Sequence, residues 1–318
     1  DKMDFAFFLI QLLNGLQYGL LLFLVASGLT LIFGIMGIIN LAHGSFYMLG
    51  AYLAWSLAGL TGSLVAAILV AVPLTVLFGM ALEWLLIRHF YHRDHLYQVL
   101  LTYGLILVFE EARSILWGDD PHGVPVPALL SQSIPLTDTL SYPVYRLFIS
   151  GVCLLLALGL YLLIQRTRVG MMIRAGASNR DMAQSLGINI KFIYTLVFAL
   201  GVALAAFAGM INAPLSSVFP NMGGPVLIMC FVVVVIGGIG SVKGALVASL
   251  LIGVITSLAV GVDYSLADLL AWFGAGEWAQ QVGGLLTLKL SSVAATIPFA
   301  LMLIVLMVRP SGLMGDKN

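Results

Sequence analysis

Residues 165–191, QRTRVGMMIRAGASNRDMAQSLGINIK, form the one long polar and basic interruption in a chain that is otherwise strongly apolar. The stretch contains four arginines and a lysine, and it separates two runs of apolar residues. Positive residues concentrate in the cytoplasmic connections of membrane proteins. The stretch therefore predicts the cytoplasmic face of a membrane protein, around which the rest of the chain is arranged.

The composition indicates a helical membrane protein. The chain has 318 residues, 61% of them hydrophobic and only 9% charged, with a mean hydropathy of +1.09, whereas soluble domains hold about 25% charged residues. The 34 glycines favour close helix packing in lipid. Cys153 and Cys230 lie in apolar runs and are expected to be packing residues. The net charge of zero gives no indication of nucleic acid, so the lipid bilayer is the expected surrounding.

The apolar runs predict an all-α transmembrane bundle that forms a single domain over residues 1–318. A membrane-spanning helix needs about 20 apolar residues. Nine candidate spans meet or approach this length: residues 5–33, 41–60, 63–87, 97–117, 143–164, 191–213, 222–236, 242–260 and 292–308. The segments 41–60 and 222–236 are also compatible with re-entrant helices, so eight or nine spans are expected. The first residues lack the basic stretch of a signal peptide and are expected to run directly into the first span.

The distribution of Lys and Arg predicts the orientation. With 165–191 inside and nine crossings, ten of the 14 basic residues fall on the cytoplasmic side. These ten are Arg88, Arg93, Arg166, Arg168, Arg174, Arg180, Lys191, Lys243, Arg309 and Lys317. The other four, Lys2, Arg113, Arg146 and Lys289, fall on or near the outer side. The N-terminus is therefore expected outside and the C-terminus inside. The connections 118–142 and 261–291 become outer loops, and Asp263 adds to the acidic character of the second.

A short helix within the basic stretch is a candidate docking element. Ser178, Asn179 and Asp181 fit a capping box, with Ser178 as the N-cap. Gly187 supplies the usual helix stop. The apolar residues expected to share one exposed face and form a knob for a groove on another protein are Met182, Ala183 and Leu186. The alternative is a connecting helix whose apolar face lies on the membrane surface.

A glycine-rich break at residues 33–52 predicts a broken helix near Asn40, His43 and Gly44. Broken backbone at membrane depth is tolerated only where it is buried in protein or lines water. Asn40 and His43 are therefore candidates for contacting the solute or shaping its route. The alternative is that the two polar residues cap the start of the next helix.

Two further breaks lie in the second half of the chain. Residues 213–225 contain Pro214 and Asn221 between apolar runs, and residues 236–244 contain Gly237, Gly238 and Gly240. Interrupted spans commonly flank the substrate route in transporters. The residues of both breaks are therefore predicted to act as pathway or hinge residues.

Charged residues within the spans are expected to be structural. Glu110 and Arg113 share a helix face at i, i+3, and Glu83 is expected to pair with Arg88. No metalloprotease, redox, hydrolase or nucleotide-binding motif is present. The chain is therefore predicted to be no enzyme and to hold no metal or cofactor. An ion-coupled secondary transporter would need polar clusters within the membrane and a channel would need a polar helix face; the spans are interpreted as apolar all round.

The chain resembles the membrane-spanning permease subunits of branched-chain amino-acid ABC importers, the LivH type. The first match is residues 28–52, GLTLIFGIMGIINLAHGSFYMLGAY, with an Asn-x-Ala-His-Gly core at residues 40–44. The second is residues 174–189, RAGASNRDMAQSLGIN, which is similar to the segment that docks onto the ATPase. The third is the Gly-Gly-x-Gly-Ser-x-x-Gly signature at residues 237–244. The segment 261–291 departs from the family by being longer.

The resemblance implies a fold like that of type II ABC importers, in the bacterial inner membrane. It implies a second, LivM-like permease subunit, two cytoplasmic ATPase subunits that use ATP and magnesium, and a periplasmic substrate-binding protein. The knob on the short helix would then transmit closure of the ATPases to the spans. The same family includes permeases for urea, short amides and aromatic solutes, so the resemblance names a machine and leaves its cargo open.

Overall fold

A computed structural model describes residues 2–262 and 264–315, with the side chains of residues 2–4 excepted. Asp263 and Lys317, which entered the charge distribution, and the side chain of Lys2 lie outside what is described. Helices dominate this part of the chain. The α-helices are α1 (Lys2–Met36), α2 (His43–Thr61), α3 (Leu64–Leu85), α4 (His95–Trp117), α5 (Val144–Arg166), α6 (Arg168–Ser178), α7 (Arg180–Ser185), α8 (Ile190–Ser216), α9 (Gly223–Gly237), α10 (Val242–Val260), α11 (Leu266–Ala271), α12 (Gly276–Val282) and α13 (Ile297–Val308). Short 3-10 turns cover Ile87–Phe90, Ala128–Leu130, Gly284–Thr287 and Leu290–Thr296.

Each of the nine predicted spans coincides with a helix. Six helical segments are long and apolar enough to cross a membrane: Phe5–Met36, Leu64–Leu85, Val144–Arg166, Ile190–Ser216, Val242–Val260 and Leu290–Val308. The helix α9 is apolar but shorter. Whether α2, α4 and α9 also cross stays a prediction. The architecture is that of a helical, multi-pass membrane protein, as predicted.

A small hairpin is the one departure from an all-helical bundle among the described residues. Strands β1 (Ser133–Pro135) and β2 (Ser141–Pro143) pair antiparallel, with Ile134 opposite Tyr142. Both lie within the predicted loop 118–142. The Tyr142 side chain is buried, and the Val144 N–H at the start of α5 donates to the Gln132 carbonyl at 2.9 Å.

The helix α1 forms the centre of the bundle. It is apolar and buried on nearly every side, because α8, α9 and α10 pack around it. A helix that is apolar all round belongs in a core or a membrane. By contrast, α3, α5 and α13 expose most of their apolar side chains and form the periphery. These exposed side chains are suited to face lipid.

The two ends of the bundle carry different elements. At one end, the last turns of α1 and α5, the helix α6 and the α9–α10 connection line a common cavity. We call this the α7 end. At the other, which we call the hairpin end, the ring of His122 stacks on Trp55 of α2 with 3.8 Å between centroids. There His122 also pairs with Val218, which follows α8.

Close backbone contact positions α2 against α9. A Cβ added at Gly44 would overlap the carbonyl of Gly223, and a Cβ added at Gly223 would overlap that of Gly44. Small residues allow such approach where lipid provides no hydrophobic force between helices. The predicted role of glycine in close packing is confirmed at this crossing. The thiols of Cys153 and Cys230 are likewise buried and separate, as predicted.

Candidate functional site

The helix α7 is capped by Asn179, one residue later than predicted. The Asn179 side-chain oxygen accepts a hydrogen bond from the Met182 backbone N–H at 3.0 Å. Ser178 is the last residue of α6, so its assignment as N-cap is wrong. Asp181 lies in the first turn, where a carboxylate complements the helix dipole. Gly187, at φ +93°, ends the helix as predicted.

Two of the three apolar residues of α7 are exposed. Met182 is 56% exposed and Leu186 is 76% exposed. Ala183 is buried at 2% exposure, so its predicted place on the exposed face is wrong. Because the helix starts at Arg180, Ala183 turns towards the bundle, and its carbonyl accepts a hydrogen bond from the Ile188 N–H. The exposed knob therefore consists of Met182 and Leu186.

Aromatic contacts tie α7 to the bundle. The Arg180 guanidinium lies 5.3 Å from the centroid of the Tyr194 ring in α8. The edge of this ring meets Tyr91, which follows α3, with 5.0 Å between centroids. A cation over an aromatic face contributes about 0.5–1 kcal/mol at exposed sites. A chain of contacts thus runs from α7 through α8 to the connection between α3 and α4.

A buried carboxylate continues this linkage. Glu83 of α3 is fully buried and accepts hydrogen bonds from the Tyr91 hydroxyl and from Thr195 Oγ1, the latter at 2.9 Å. It also pairs with Arg88 at 3.5 Å, as predicted. Burial, followed by the hydrogen bond to Glu83, raises the pKa of Tyr91 above its ordinary value and keeps this phenol a donor. We call Glu83, Arg88, Tyr91 and Thr195 the Glu83 cluster.

A cavity of about 660 Å³ opens at the α7 end. It brings together Ser178 and Gly240, two residues that the sequence singled out separately. Arg174 and Lys243 also line it. The Gly240 N–H donates to Thr30 Oγ1 of α1 at 3.0 Å, which fixes the α9–α10 connection against the central helix.

The glycine-rich connection after α9 is held in a left-handed conformation. Gly238 and Gly240 have φ of +103° and +85°, values that favour glycine. A Cβ added at Gly237 would overlap the backbone of Gly244. The Ile236 carbonyl accepts a hydrogen bond from Leu313 N–H at 2.8 Å, so the C-terminal segment packs on this turn. A hinge role for these glycines stays a prediction.

Asn40 and His43 are both fully buried. The Asn40 side-chain oxygen accepts from the Ala42 N–H at 3.1 Å, which supports the turn leading into α2. The His43 ring donates through Nε2 to the Val25 carbonyl of α1 at 2.8 Å. The predicted capping role is therefore wrong for both residues, because the N-cap of α2 is Ala42 without a side-chain cap and the His43 ring joins two helices. A part for either residue in the solute route stays a prediction.

The remaining hinge candidates are Pro214, in the last turn of α8, and Asn221, in the connection between α8 and α9. Pro214 lies inside α8, which continues to Ser216, so the predicted break at residue 213 is wrong and begins at Ser217. Asn221 has a φ of +60°. With Gly44 it lines a small cavity of about 90 Å³ that also meets Glu110.

The predicted pair of Glu110 and Arg113 is confirmed at 3.1 Å. Arg113 also contacts Asp119 at 3.1 Å. The hydrogen bond from Arg113, helped by one from Ser114, lowers the pKa of Asp119 below its ordinary value. Arg113 is buried, and its charge is therefore paired with two carboxylates, those of Glu110 and Asp119.

A polar pocket at the hairpin end was missed by the sequence analysis. It has a volume of about 340 Å³ and lies between α1, α5, α8 and α10. Arg146 Nη1 donates to Asn14 Oδ1 and Gln17 Oε1, both at 3.3 Å. Asn212, Ser216, Thr256 and Ser257 also line it. We call this the Arg146 pocket. The sequence signal that could have predicted it is a row of polar residues on one face of α1: Gln11, Asn14, Gln17 and Tyr18.

A second, apolar pocket adjoins the first. It has a volume of about 160 Å³, and Tyr18 and Asn212 line both pockets. The Asn212 side chain donates to the Tyr47 hydroxyl at 3.0 Å. The interpretation of the spans as apolar all round is thus wrong for α1 and α8, whose polar residues meet between the helices. We call this second space the apolar pocket.

The helices, the internal polar cavities and the exposed knob define a class: a multi-pass helical membrane permease. The sequence comparisons identify the family. The protein-family model described as "Branched-chain amino acid transport system / permease component" matches residues 11–306. The chain belongs to this family, which confirms the resemblance noted from its motifs.

Curated relatives match over nearly the whole chain. The high-affinity branched-chain amino acid transport system permease protein BraD of Pseudomonas aeruginosa is 30% identical, over 97% of this chain and 96% of that protein. The corresponding permease protein LivH of Escherichia coli is 28% identical, over 98% and 97%. The ribose import permease protein RbsC of Haemophilus influenzae is 28% identical over 72% of this chain and 71% of that protein. No solved structure matches the chain.

Proposed function

We propose that this chain is the membrane-spanning subunit of an ATP-driven importer that takes up branched-chain amino acids delivered by a periplasmic binding protein. The observation that carries the proposal is the exposed pair Met182 and Leu186 on the capped helix α7. An amphipathic helix that presents two apolar side chains among polar ones suits a groove on a soluble partner. The similarity to BraD and LivH supports the choice of cargo.

In this proposal the α7 end is cytoplasmic and the hairpin end is periplasmic. The chain is a single permease domain, with residues 165–191 as the coupling loop and residues 118–142 and 261–291 as periplasmic loops. Two ATPase subunits dock at α7, and a second, LivM-like permease completes the membrane core in the bacterial inner membrane. The chain performs no catalysis and binds no cofactor; ATP and magnesium act in the ATPases.

Closure of the ATPases moves α7, and the contacts of Arg180 with Tyr194 and of Tyr91 with Glu83 carry that movement to α8 and α3. The movement converts an outward-facing cavity to an inward-facing one. Against ion coupling, the described residues that line the Arg146 pocket include no Asp or Glu, the groups that ordinarily hold a coupling ion or proton within a membrane.

The test is uptake of radiolabelled leucine by proteoliposomes that hold this chain, its partner permease and the ATPases, with binding protein and ATP supplied. We expect uptake to require all of them. The matched control replaces the ATPase with a variant that binds but does not hydrolyse ATP. Uptake by the permease without ATPase would contradict the proposal and favour a channel or an ion-coupled carrier.

A further inference from the structure

Arg146, which lines the Arg146 pocket, has no carboxylate partner among the described residues. Both hydrogen bonds of Arg146 among the described residues come from Nη1 and go to the neutral amides of Asn14 and Gln17. By contrast, Arg88 and Arg113 are each paired with a carboxylate. Among the described residues that line the pocket there is no acidic side chain, and Arg146 is the one charged group.

The geometry of Arg146 leaves one edge of its guanidinium available. The group has five N–H donors in a planar fork. Because Nη1 holds the two amide contacts, Nε and Nη2 have no partner among the described residues. A carboxylate binds such a fork through two parallel hydrogen bonds. The amide oxygens of Asn14 and Gln17 hold the guanidinium in place for this contact.

A second orphan group lines the same pocket. The hydroxyl of Thr256 on α10 is buried and has no hydrogen-bond partner among the described residues. An unpaired buried hydroxyl carries a free-energy cost. A polar ligand in the pocket would remove this cost.

The adjoining apolar pocket suits the other part of an amphiphilic solute. Leu21, Leu22 and Val25 line it on α1, about one to two turns beyond Asn14 and Gln17. At a rise of 1.5 Å per residue the centres of the two sets are separated by about 10 Å along the helix. The two pockets thus follow one another along α1, and Tyr18 and Asn212 line both of them.

We infer that the Arg146 pocket is an entry subsite that binds the carboxylate of an apolar carboxylic solute through Arg146, before the apolar part moves on to the apolar pocket. The inference rests on the proposed function in that it names the part of the cargo recognised first. The subsite selects carboxylates with apolar tails over alcohols, amides and sugars of similar size.

The first test measures the charge of the pocket without transport. Ser257→Cys is introduced into the full chain in lipid nanodiscs, where the buried native thiols of Cys153 and Cys230 give little background. The matched control is Leu129→Cys, at a side chain that is 90% exposed outside the pocket. We expect the ratio of the modification rates by an anionic and a cationic methanethiosulfonate to be about tenfold higher at position 257. Arg146→Gln should abolish the difference and Arg146→Lys should keep it.

The second test measures selectivity by protection of the same Ser257→Cys variant. Leucine and 4-methylpentanoate should slow its modification, whereas leucinol and leucinamide should not. The inference would be overturned by equal protection from all four compounds. It would also be overturned if the preference for the anionic reagent persisted in an Arg146→Gln variant that elutes as a single species. Should Arg146→Gln fail to fold, Arg146→Lys and the protection series still decide it.

The assembled complex provides the last discrimination. If the partner permease makes position 257 unreactive and leucine no longer affects it, Arg146 serves a subunit contact and the inference is wrong. Failure of the proposed function gives a different result, because uptake would be absent while carboxylates still protect the isolated chain.

Discussion

At the scale of single residues, the two buried charges among the described residues, Glu83 and Arg113, are paired within the bundle. A buried charge left alone is costly, and removing one partner of a buried pair typically costs about 3–5 kcal/mol. Glu83 and Arg113 have opposite charges beside them, and the ring of His43 has a backbone carbonyl. Arg146 differs, since its partners are neutral amides and it faces a cavity. That difference marks it as functional.

Replacing Glu83 with Ala should destabilise the protein by about 3 kcal/mol, because the substitution removes the shared acceptor of Arg88, Tyr91 and Thr195. The measurement is the thermal unfolding midpoint in detergent. Glu111→Ala is the matched control, at an exposed carboxylate of α4, and should leave the midpoint nearly unchanged. An equal effect of both substitutions would show that the Glu83 cluster contributes nothing specific.

At the scale of elements, α7 shows how a one-residue shift changes a surface. Ser178 and Asn179 are both favoured N-cap residues, and the sequence pattern does not decide between neighbours. The structure starts α7 at Arg180, and this places Ala183 inside while Met182 and Leu186 remain outside. The exposed knob is therefore narrower than the pattern indicates.

Met182→Asp or Leu186→Asp should abolish binding of the ATPase without affecting insertion. Each introduces a charge into the apolar contact that the knob would make with its groove. The measurement is recovery of the ATPase with the tagged permease from detergent extracts. Gln184→Asp, at an exposed polar position of the same helix, is the matched control and should recover the ATPase normally. Undiminished recovery with Leu186→Asp would mean that the ATPase docks elsewhere.

The crossing of α2 and α9 should respond sharply to one methyl group. Gly44→Ala places a Cβ against the Gly223 carbonyl, and overpacking of this kind typically costs about 1–3 kcal/mol. Gly104→Ala is the matched control, because its helical position has open space, and alanine there should favour the helix by up to about 1 kcal/mol. Thermal unfolding should thus move in opposite directions. A stable Gly44→Ala variant would contradict the close approach.

At the scale of the whole molecule, hydropathy and motifs predicted the helical bundle, its nine helical segments and its family. They succeeded because most of these segments are long apolar runs that end at polar or glycine-rich connections. They missed the Arg146 pocket, since Asn14 of α1, Arg146 of α5, Asn212 of α8 and Thr256 of α10 are distant in sequence. They also placed the start of the second break too early, at residue 213. The helix α8 continues to Ser216, because a proline in its last turn is tolerated by the packed helix.

The predicted orientation of the bundle rests on the charge distribution, and it would connect both candidate sites to their proposed partners. The ATPases can reach Met182 and Leu186, and a binding protein can deliver solute to Arg146, only if the α7 end faces the cytoplasm. The two ends are well separated in the bundle, because α1 runs from the hairpin end to the α7 end over 35 residues. A helix of that length extends about 50 Å.

Cysteine accessibility should therefore give opposite results at the two ends. Asp181→Cys and Asp120→Cys place thiols at exposed positions of the α7 end and of the loop before the hairpin, while both native cysteines are buried. In intact cells whose outer membrane has been made permeable, an impermeant maleimide should label the variant at position 120 and not that at position 181. Inverted vesicles should reverse the result, and labelling of both from one side would contradict the predicted odd number of crossings between these positions.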